Sequence, residues 1–247
     1  MTAPELSYYN IANGITSFST TRHGGCSRGN YGEFNINEYC GDEAEAIKEN
    51  RKALAAELGI DADHMIIPHQ THGIETRQIA EDFLSLPENI RKMILEGVDA
   101  VMTNIKGVCV GVSTADCIPI LLYDPEHEAV CAVHAGWRGT VARIVMKAVT
   151  EMRLAYQTKP SDLKAVIGPG ISLDAFEVGN EVYEEFSNAN FEMDAISKQM
   201  KVTGTDFEYK WHIDLKECNR RQLLQCGINE ENILVSDANY LRQTYKD

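Results

Sequence analysis

The chain has 247 residues, enough to bury a sizeable core in one large domain or two small ones. With 44% hydrophobic and 24% charged residues it has the composition of a soluble globular protein, and its net charge of −14 argues against a nucleic-acid backbone or an anionic membrane as main partner. No run approaches the roughly 20 apolar residues of a membrane span, and Met1 to Asn10 lacks the basic and apolar regions of a signal peptide, so a cytoplasmic location is expected.

Gly14 to Thr21 reads as a strand leading into the glycine turn Arg22-His23-Gly24-Gly25. Asp42 to Leu58 reads as a helix, with Asp42 as N-cap, Gly59 just past the end, and Ile47, Leu54 and Leu58 on the apolar face. His64 to Gln70 and Ile74 to Ile79 read as strands on either side of the His72-Gly73 turn. Ala80 to Gly97 is charged and irregular, a surface helix or loop. Four short strands follow, Val98–Thr103, Val108–Thr114, Ile118–Tyr123 and Ala129–His134. Several are apolar on both faces, which suits a sheet covered on both sides. A helix is expected from about Val141 to Tyr156, because Val141, Ile144, Val145, Ala148, Val149 and Met152 follow the i, i+3, i+4 pattern. Leu163–Ile167 is a strand ending in Gly168-Pro169-Gly170. Gly179–Phe186 and Lys216–Cys226 are helical candidates, and Trp211–Leu215 and Asn232–Val235 late strands. No repeat, low-complexity segment or linker interrupts the chain, so residues 1–247 read as one domain with intermixed helices and strands.

Three turns carry the chemistry. His72 lies in Pro68-His69-Gln70-Thr71-His72-Gly73, Cys117 in Thr114-Ala115-Asp116-Cys117-Ile118-Pro119, and His134 in Val133-His134-Ala135-Gly136-Trp137-Arg138-Gly139. Each joins an expected strand to a Gly or Pro turn, so the side chains can converge at strand ends. Three protein ligands with a fourth position open is the pattern of a catalytic zinc site, where bound water becomes acidic enough to react near pH 7. The ligands are too far apart in sequence for a zinc-finger knuckle. On residue chemistry alone His69 is as good a donor as His72, and any one of these histidines also reads as a hydrogen-bonded turn residue. The remaining cysteines, Cys26, Cys40, Cys109, Cys131, Cys218 and Cys226, read as ordinary reduced thiols.

Two arginines and an aspartate join the candidates. Arg138 precedes a helix expected to begin near Thr140, whose free N–H groups and dipole attract anions, and its guanidinium suits bidentate phosphate binding. Arg22 could meet a phosphate or a base, and reads equally as an exposed loop residue. Asp116 could orient a ligand, bind substrate or transfer a proton, or simply cap backbone amides.

With these residues in view, the chain resembles the YfiH/YlmD and FAMIN group of purine nucleoside phosphorylases, formerly described as polyphenol oxidases or laccase-domain proteins. Phe18-Ser19-Thr20-Thr21-Arg22-His23-Gly24-Gly25-Cys26-Ser27 resembles the group's N-terminal motif. Gln70-Thr71-His72-Gly73, Ala115-Asp116-Cys117 and His134-Ala135-Gly136-Trp137-Arg138-Gly139 resemble its metal-site motifs in order and spacing. Gly168-Pro169-Gly170-Ile171 and Phe176-Glu177-Val178-Gly179 resemble a later one. The resemblance selects His72 over His69 and implies zinc on His72, Cys117 and His134, with copper as the metal of the older label. It implies an α+β domain of four layers, α/β/β/α, with mixed sheets. It implies phosphorolysis of adenosine, inosine and methylthioadenosine and hydrolytic deamination of adenosine. The partners expected are purine nucleosides and phosphate, with no nucleic acid or membrane, and a homodimer is compatible. Arg138, with Arg22, is the expected phosphate anchor and Asp116 the expected proton carrier. The segment Ser236–Asp247 departs from the group's C-terminal pattern and looks altered or truncated.

Three other readings stand beside this one: a metal-free hydrolase with Cys117 as nucleophile and a histidine as base; a copper polyphenol oxidase, for which seven histidines in the whole chain are few; and a non-catalytic metabolite-binding protein.

Overall fold

The computed structural model describes residues 2–202, 209–237 and 239–240. A hairpin opens the chain, β1 (Leu6–Tyr9) against β2 (Ser17–Thr20). Helix α1 (Ala44–Leu58) ends at Gly59, whose φ of 67° is left-handed backbone that glycine adopts without steric cost. Its start corrects the sequence expectation. Glu43 is the N-cap, and the Asp42 carboxylate instead accepts hydrogen bonds from Ser27 Oγ at 2.7 Å and Asn35 Nδ2 at 2.9 Å, tying the preceding loop together.

The strands expected over 64–70 and 108–114 shrink to two residues each, β3 (Met65–Ile66) and, further along, β6 (Cys109–Val110). The cause is local: Pro68 has no N–H to give a ladder, and the Ser113 backbone pairs with the Gln70 side chain instead of a strand. Between them come β4 (Glu75–Gln78), α2 (Glu88–Ile94) and β5 (Val98–Thr103). β7 (Ile118–Asp124) and β8 (Ala129–Ala135) form the central hairpin. The single helix expected from Val141 is two: α3 (Trp137–Val141) and α4 (Ile144–Tyr156). Arg143 separates them with φ 66°, held by a hydrogen bond from Nη2 to the Ala189 carbonyl (2.9 Å) and a guanidinium 3.7 Å over the Phe191 ring.

β9 (Lys164–Ile167), β10 (Gly170–Ile171), β11 (Glu177–Val178), α5 (Asn180–Asn188), α6 (Met193–Ile196) and β12 (Ser197–Lys201) follow. The late strand lies two residues earlier than expected, as β13 (Tyr209–Ile213), because Asp214 caps α7 (Leu215–Gln225) by accepting the Glu217 N–H. β14 (Ile233–Val235) and β15 (Asn239–Tyr240) complete the described chain. Of the C-terminal segment singled out above, Ala238 and residues 241–247 lie outside the described residues, whereas β15 pairs in parallel with β10.

The main sheet has six strands in the order β14-β9-β7-β8-β5-β4 and is mixed, with parallel pairs at both edges. β5, β7 and β8 are buried along almost their whole length, as apolar strands covered on both faces must be. One face, with Ile120, Leu122 and Val133, shares a core with Ile144, Ala148 and Met152 of α4. The other face meets the two-stranded β3–β6 ribbon, whose residues alternate: Ile66 and Val110 pack with Val98 and Val101, while Met65 and Cys109 pack with Leu54 of α1. The period-2 alternation of β structure thus sets the layers helix, sheet, ribbon, helix, and the protein is a mixed α/β domain with mixed sheets. The small sheet β11-β13-β12 adds Val178 and Ile213 to the core under α4.

Leu54 is 1% exposed and Leu154 75% exposed, although both lie on helices. Leu54→Ala should cost about 2–5 kcal/mol of unfolding free energy and Leu154→Ala less than about 0.5 kcal/mol, read from urea denaturation midpoints at constant slope.

Candidate metal centre

The pairing of three strands explains why residues distant in sequence meet. β7 and β8 are antiparallel with Ile118 opposite Ala135, so the residue before β7, Cys117, lies beside the end of β8 that carries His134. β5 pairs antiparallel with β8, Ala100 opposite Val133, which brings Asp99 alongside His134. β4 runs parallel to β5, so the His72-Gly73 turn that precedes β4 reaches the same end of the sheet. There the donor atoms of His72, Cys117 and His134 all lie within 4.8 Å of one another, a spacing one metal ion can bridge.

The triad grades from inside to outside: His134 is buried, Cys117 half-buried and His72 exposed. The rings of His72 and His134 stand at 76° with centroids 4.9 Å apart. His134 Nδ1 is 2.7 Å from Asp99 Oδ1, so Nε2 is the nitrogen left for the centre. Gly136 lacks a Cβ where one would sit 3.1 Å from both Cys117 Sγ and His72 Cδ2. A larger residue would push two of the three donors aside. One thiolate sulfur and two imidazole nitrogens suit zinc, and also copper. Among the described residues this is the one such cluster.

Two side chains hold the turns in place. Gln70 donates from Nε2 to the Ser113 carbonyl (2.8 Å) and accepts the Ser113 N–H on Oε1 (2.7 Å), docking the segment that leads to Cys117 against the turn of His72. Asp99, fully buried, accepts the backbone N–H groups of Thr71, His72 and Gly73. Sequence reasoning missed Asp99, although a lone acid in the apolar run Val98–Thr103 was a signal.

The other candidates are placed as follows. His69 is not in the cluster; its Nδ1 lies 2.8 Å from Glu96 and its ring stacks on Tyr39 at 4.2 Å. Asp116 is exposed next to Cys117, and its carbonyl accepts the Ile171 N–H. Arg138 is exposed on α3, with its guanidinium 4.3 Å over the Trp137 ring. Helix α3 begins at Trp137 rather than near Thr140, and the Thr140 N–H is already bonded to the Gly136 carbonyl, so that N–H is not free for an anion. Arg22 donates from Nε and Nη2 to the Gly32 carbonyl at 3.1 and 2.6 Å, clamping its own loop, and makes no hydrogen bond to the triad.

Electrostatics divides the two histidines. Burial, the nearby His134 and the charge of Arg138 hold His72 below its usual range, which favours the neutral imidazole that a metal requires. Burial works against a charge on His134 too, but the hydrogen bond with Asp99 and the nearby Cys117 sulfur outweigh it and push the imidazole up to about 9.

The chain matches the family described as "Multi-copper polyphenol oxidoreductase laccase" over residues 16–245. It belongs to that family. The protein named "Purine nucleoside phosphorylase" from Bacteroides thetaiotaomicron is 46% identical over 214 residues, 87% of this chain and 77% of the relative. "Adenosine deaminase RL5", from an unknown prokaryotic organism, is 40% identical over 232 residues, covering 94% and 86%. The crystal structure of the Bacillus licheniformis hypothetical protein YfiH superposes with a TM-score of 0.84 at 27% identity, covering 96% of this chain and 87% of that one. These relatives make the chain an enzyme of the family to which they belong.

A metal on His134 must displace the proton that the imidazole holds below pH of about 9. Zinc affinity should therefore weaken at least about tenfold for each unit that pH falls between 8.5 and 6.5. Competition with a chelator of known affinity measures this, and a flat profile would contradict the proton-coupled site.

Proposed function

We propose that the protein is a zinc-dependent purine nucleoside phosphorylase acting on adenosine, inosine and methylthioadenosine, with a second activity as an adenosine deaminase. The observation that carries this reading is the convergence of His72, Cys117 and His134 at one sheet end, open to solvent on the His72 side. The names of the relatives supply the substrate class. His72, Cys117 and His134 would hold the metal, which when bound supplies a Lewis acid at the mouth of the site.

The chain's own residues divide the remaining work. Arg138 is exposed on α3 two residues after Gly136, whose backbone faces Cys117 and His72, so an anion on its guanidinium would lie near the triad. In phosphorolysis a phosphate oxygen bonds to ribose C1′ as the bond from C1′ to the purine nitrogen breaks, and the purine keeps the electron pair and takes a proton. Arg138 holds the phosphate as a charge-assisted, bidentate donor. Local cationic charge is needed there because the protein as a whole repels anions, with a net charge of −14. Arg22, engaged with Gly32, contributes to phosphate binding only if that clamp opens. In deamination water adds to C6 of adenine and ammonia leaves, and Asp116, exposed beside Cys117, carries the proton between them.

A second reading has its own observation. The Cys117 sulfur lies within 4.8 Å of a His134 ring nitrogen, and His134 Nδ1 faces Asp99, which is the order of a cysteine-histidine-aspartate relay without any metal. Metal analysis of the purified protein followed by thiol titration separates the two. Copper oxidation of phenols has the donor set for a single copper but no second cluster among the described residues.

Adenosine alone should give inosine and ammonia, and adenosine with phosphate should also give adenine and ribose 1-phosphate, read by product chromatography. Cys117→Ala should abolish both. Arg138→Ala should keep the zinc and raise the phosphate requirement more than about tenfold, the loss of one charge-assisted contact of about 1.5–3 kcal/mol. Unchanged phosphate dependence would return Arg138 to a structural role.

A further inference from the structure

Asp99 is 0% exposed and sits in the middle of the triad's supports. A buried carboxylate survives only when its acceptor sites are filled, and two oxygens offer about four lone-pair positions. All four are taken. Oδ2 accepts the N–H of Thr71 at 3.2 Å and of Gly73 at 2.8 Å, and Oδ1 accepts the N–H of His72 at 3.0 Å and faces His134 Nδ1 at 2.7 Å. One oxygen atom therefore touches the backbone of one histidine and the ring of the other.

His72 needs such a hold. Its φ of 62° is left-handed backbone, unfavourable for an L residue with a side chain. Three consecutive amides aimed at one carboxylate keep the turn in that conformation. His134 needs a different one: a ring whose Nδ1–H is bonded to a carboxylate has a fixed tautomer and a fixed plane, with Nε2 forward.

We propose that Asp99 is the positioning residue of the centre, a single carboxylate that sets both histidine donors at once, one through its backbone and one through its ring. The role rests on the metal reading above. It separates from general stabilisation because it predicts a defect in metal binding by folded protein. It also predicts that the His72 turn and the His134 ring loosen together when Asp99 changes. Asparagine cannot substitute: it keeps one acceptor oxygen and turns an NH2 donor towards N–H groups.

The test compares zinc binding by wild type and Asp99→Asn through chelator competition, with amide hydrogen exchange at Thr71, His72 and Gly73 followed by NMR. The expected result is a loss of zinc affinity of about 10–100-fold, with faster exchange at all three amides. If Asp99 only stabilised the fold, the metal-free melting temperature would drop while zinc affinity of the folded protein stayed the same, and that overturns the proposal. A wild type that binds no zinc overturns the metal reading and this one with it, whereas zinc-binding wild type with an equally tight variant overturns the role of Asp99 alone. Should Asp99→Asn not fold, the zinc-loaded wild type decides by nitrogen-15 NMR. The expected form has a proton on His134 Nδ1 and slow exchange at His72 and Gly73, and a proton on Nε2 instead overturns the proposal.

Discussion

A charge buried without partners destabilises a protein by several kcal/mol, so the carboxylate of Asp99 constrains everything around it. Its four donors come from two chain segments, the turn at residues 71–73 and the end of β8. They can converge only if β5 pairs with β8 in the register that places Ala100 opposite Val133. A slip of one residue would send Asp99 to the other face of the sheet. It would also break the core between that sheet and α4. Sheet register, core packing and donor placement are thus one constraint seen at three scales.

The family description speaks of several coppers, whereas relatives carry the names of a phosphorylase and a deaminase. The side chains help to weigh these descriptions. Five of the seven histidines stand away from the triad, and four of those are engaged elsewhere: His64 with the Gly107 carbonyl, His69 with Glu96, His127 with Asp124 and His212 with the Leu173 carbonyl. The cluster itself holds one cysteine and two histidines, a mononuclear set.

Much of this was legible in sequence for stated reasons. Val98–Thr103 reads as a strand and is one, because a short run of Val, Ala and Met, interrupted only by Asp99 and bounded by Gly97 and Asn104, has few other solutions. The donor-bearing turns were visible because Gly and Pro mark strand ends. The choice between His69 and His72 was not readable from residue chemistry. It depends on a left-handed φ at His72 and on a carboxylate from β5, which no local pattern encodes. The broken helix was hidden for a similar reason. The apolar period runs on from Val141, while the break at Arg143 is held by Ala189 and Phe191, far along the chain. The helix expected to begin near Thr140 starts one turn earlier, at Trp137, so the Thr140 N–H is bonded within the helix rather than free.

The account turns on one cysteine and two histidines sharing a single ion. X-ray absorption at the zinc edge of the zinc-loaded protein tests that most directly. The account requires one sulfur at about 2.3 Å and two imidazole nitrogens at about 2.0–2.1 Å, with a further light atom completing the shell. A shell with no sulfur, or with two, would contradict the assignment of His72, Cys117 and His134.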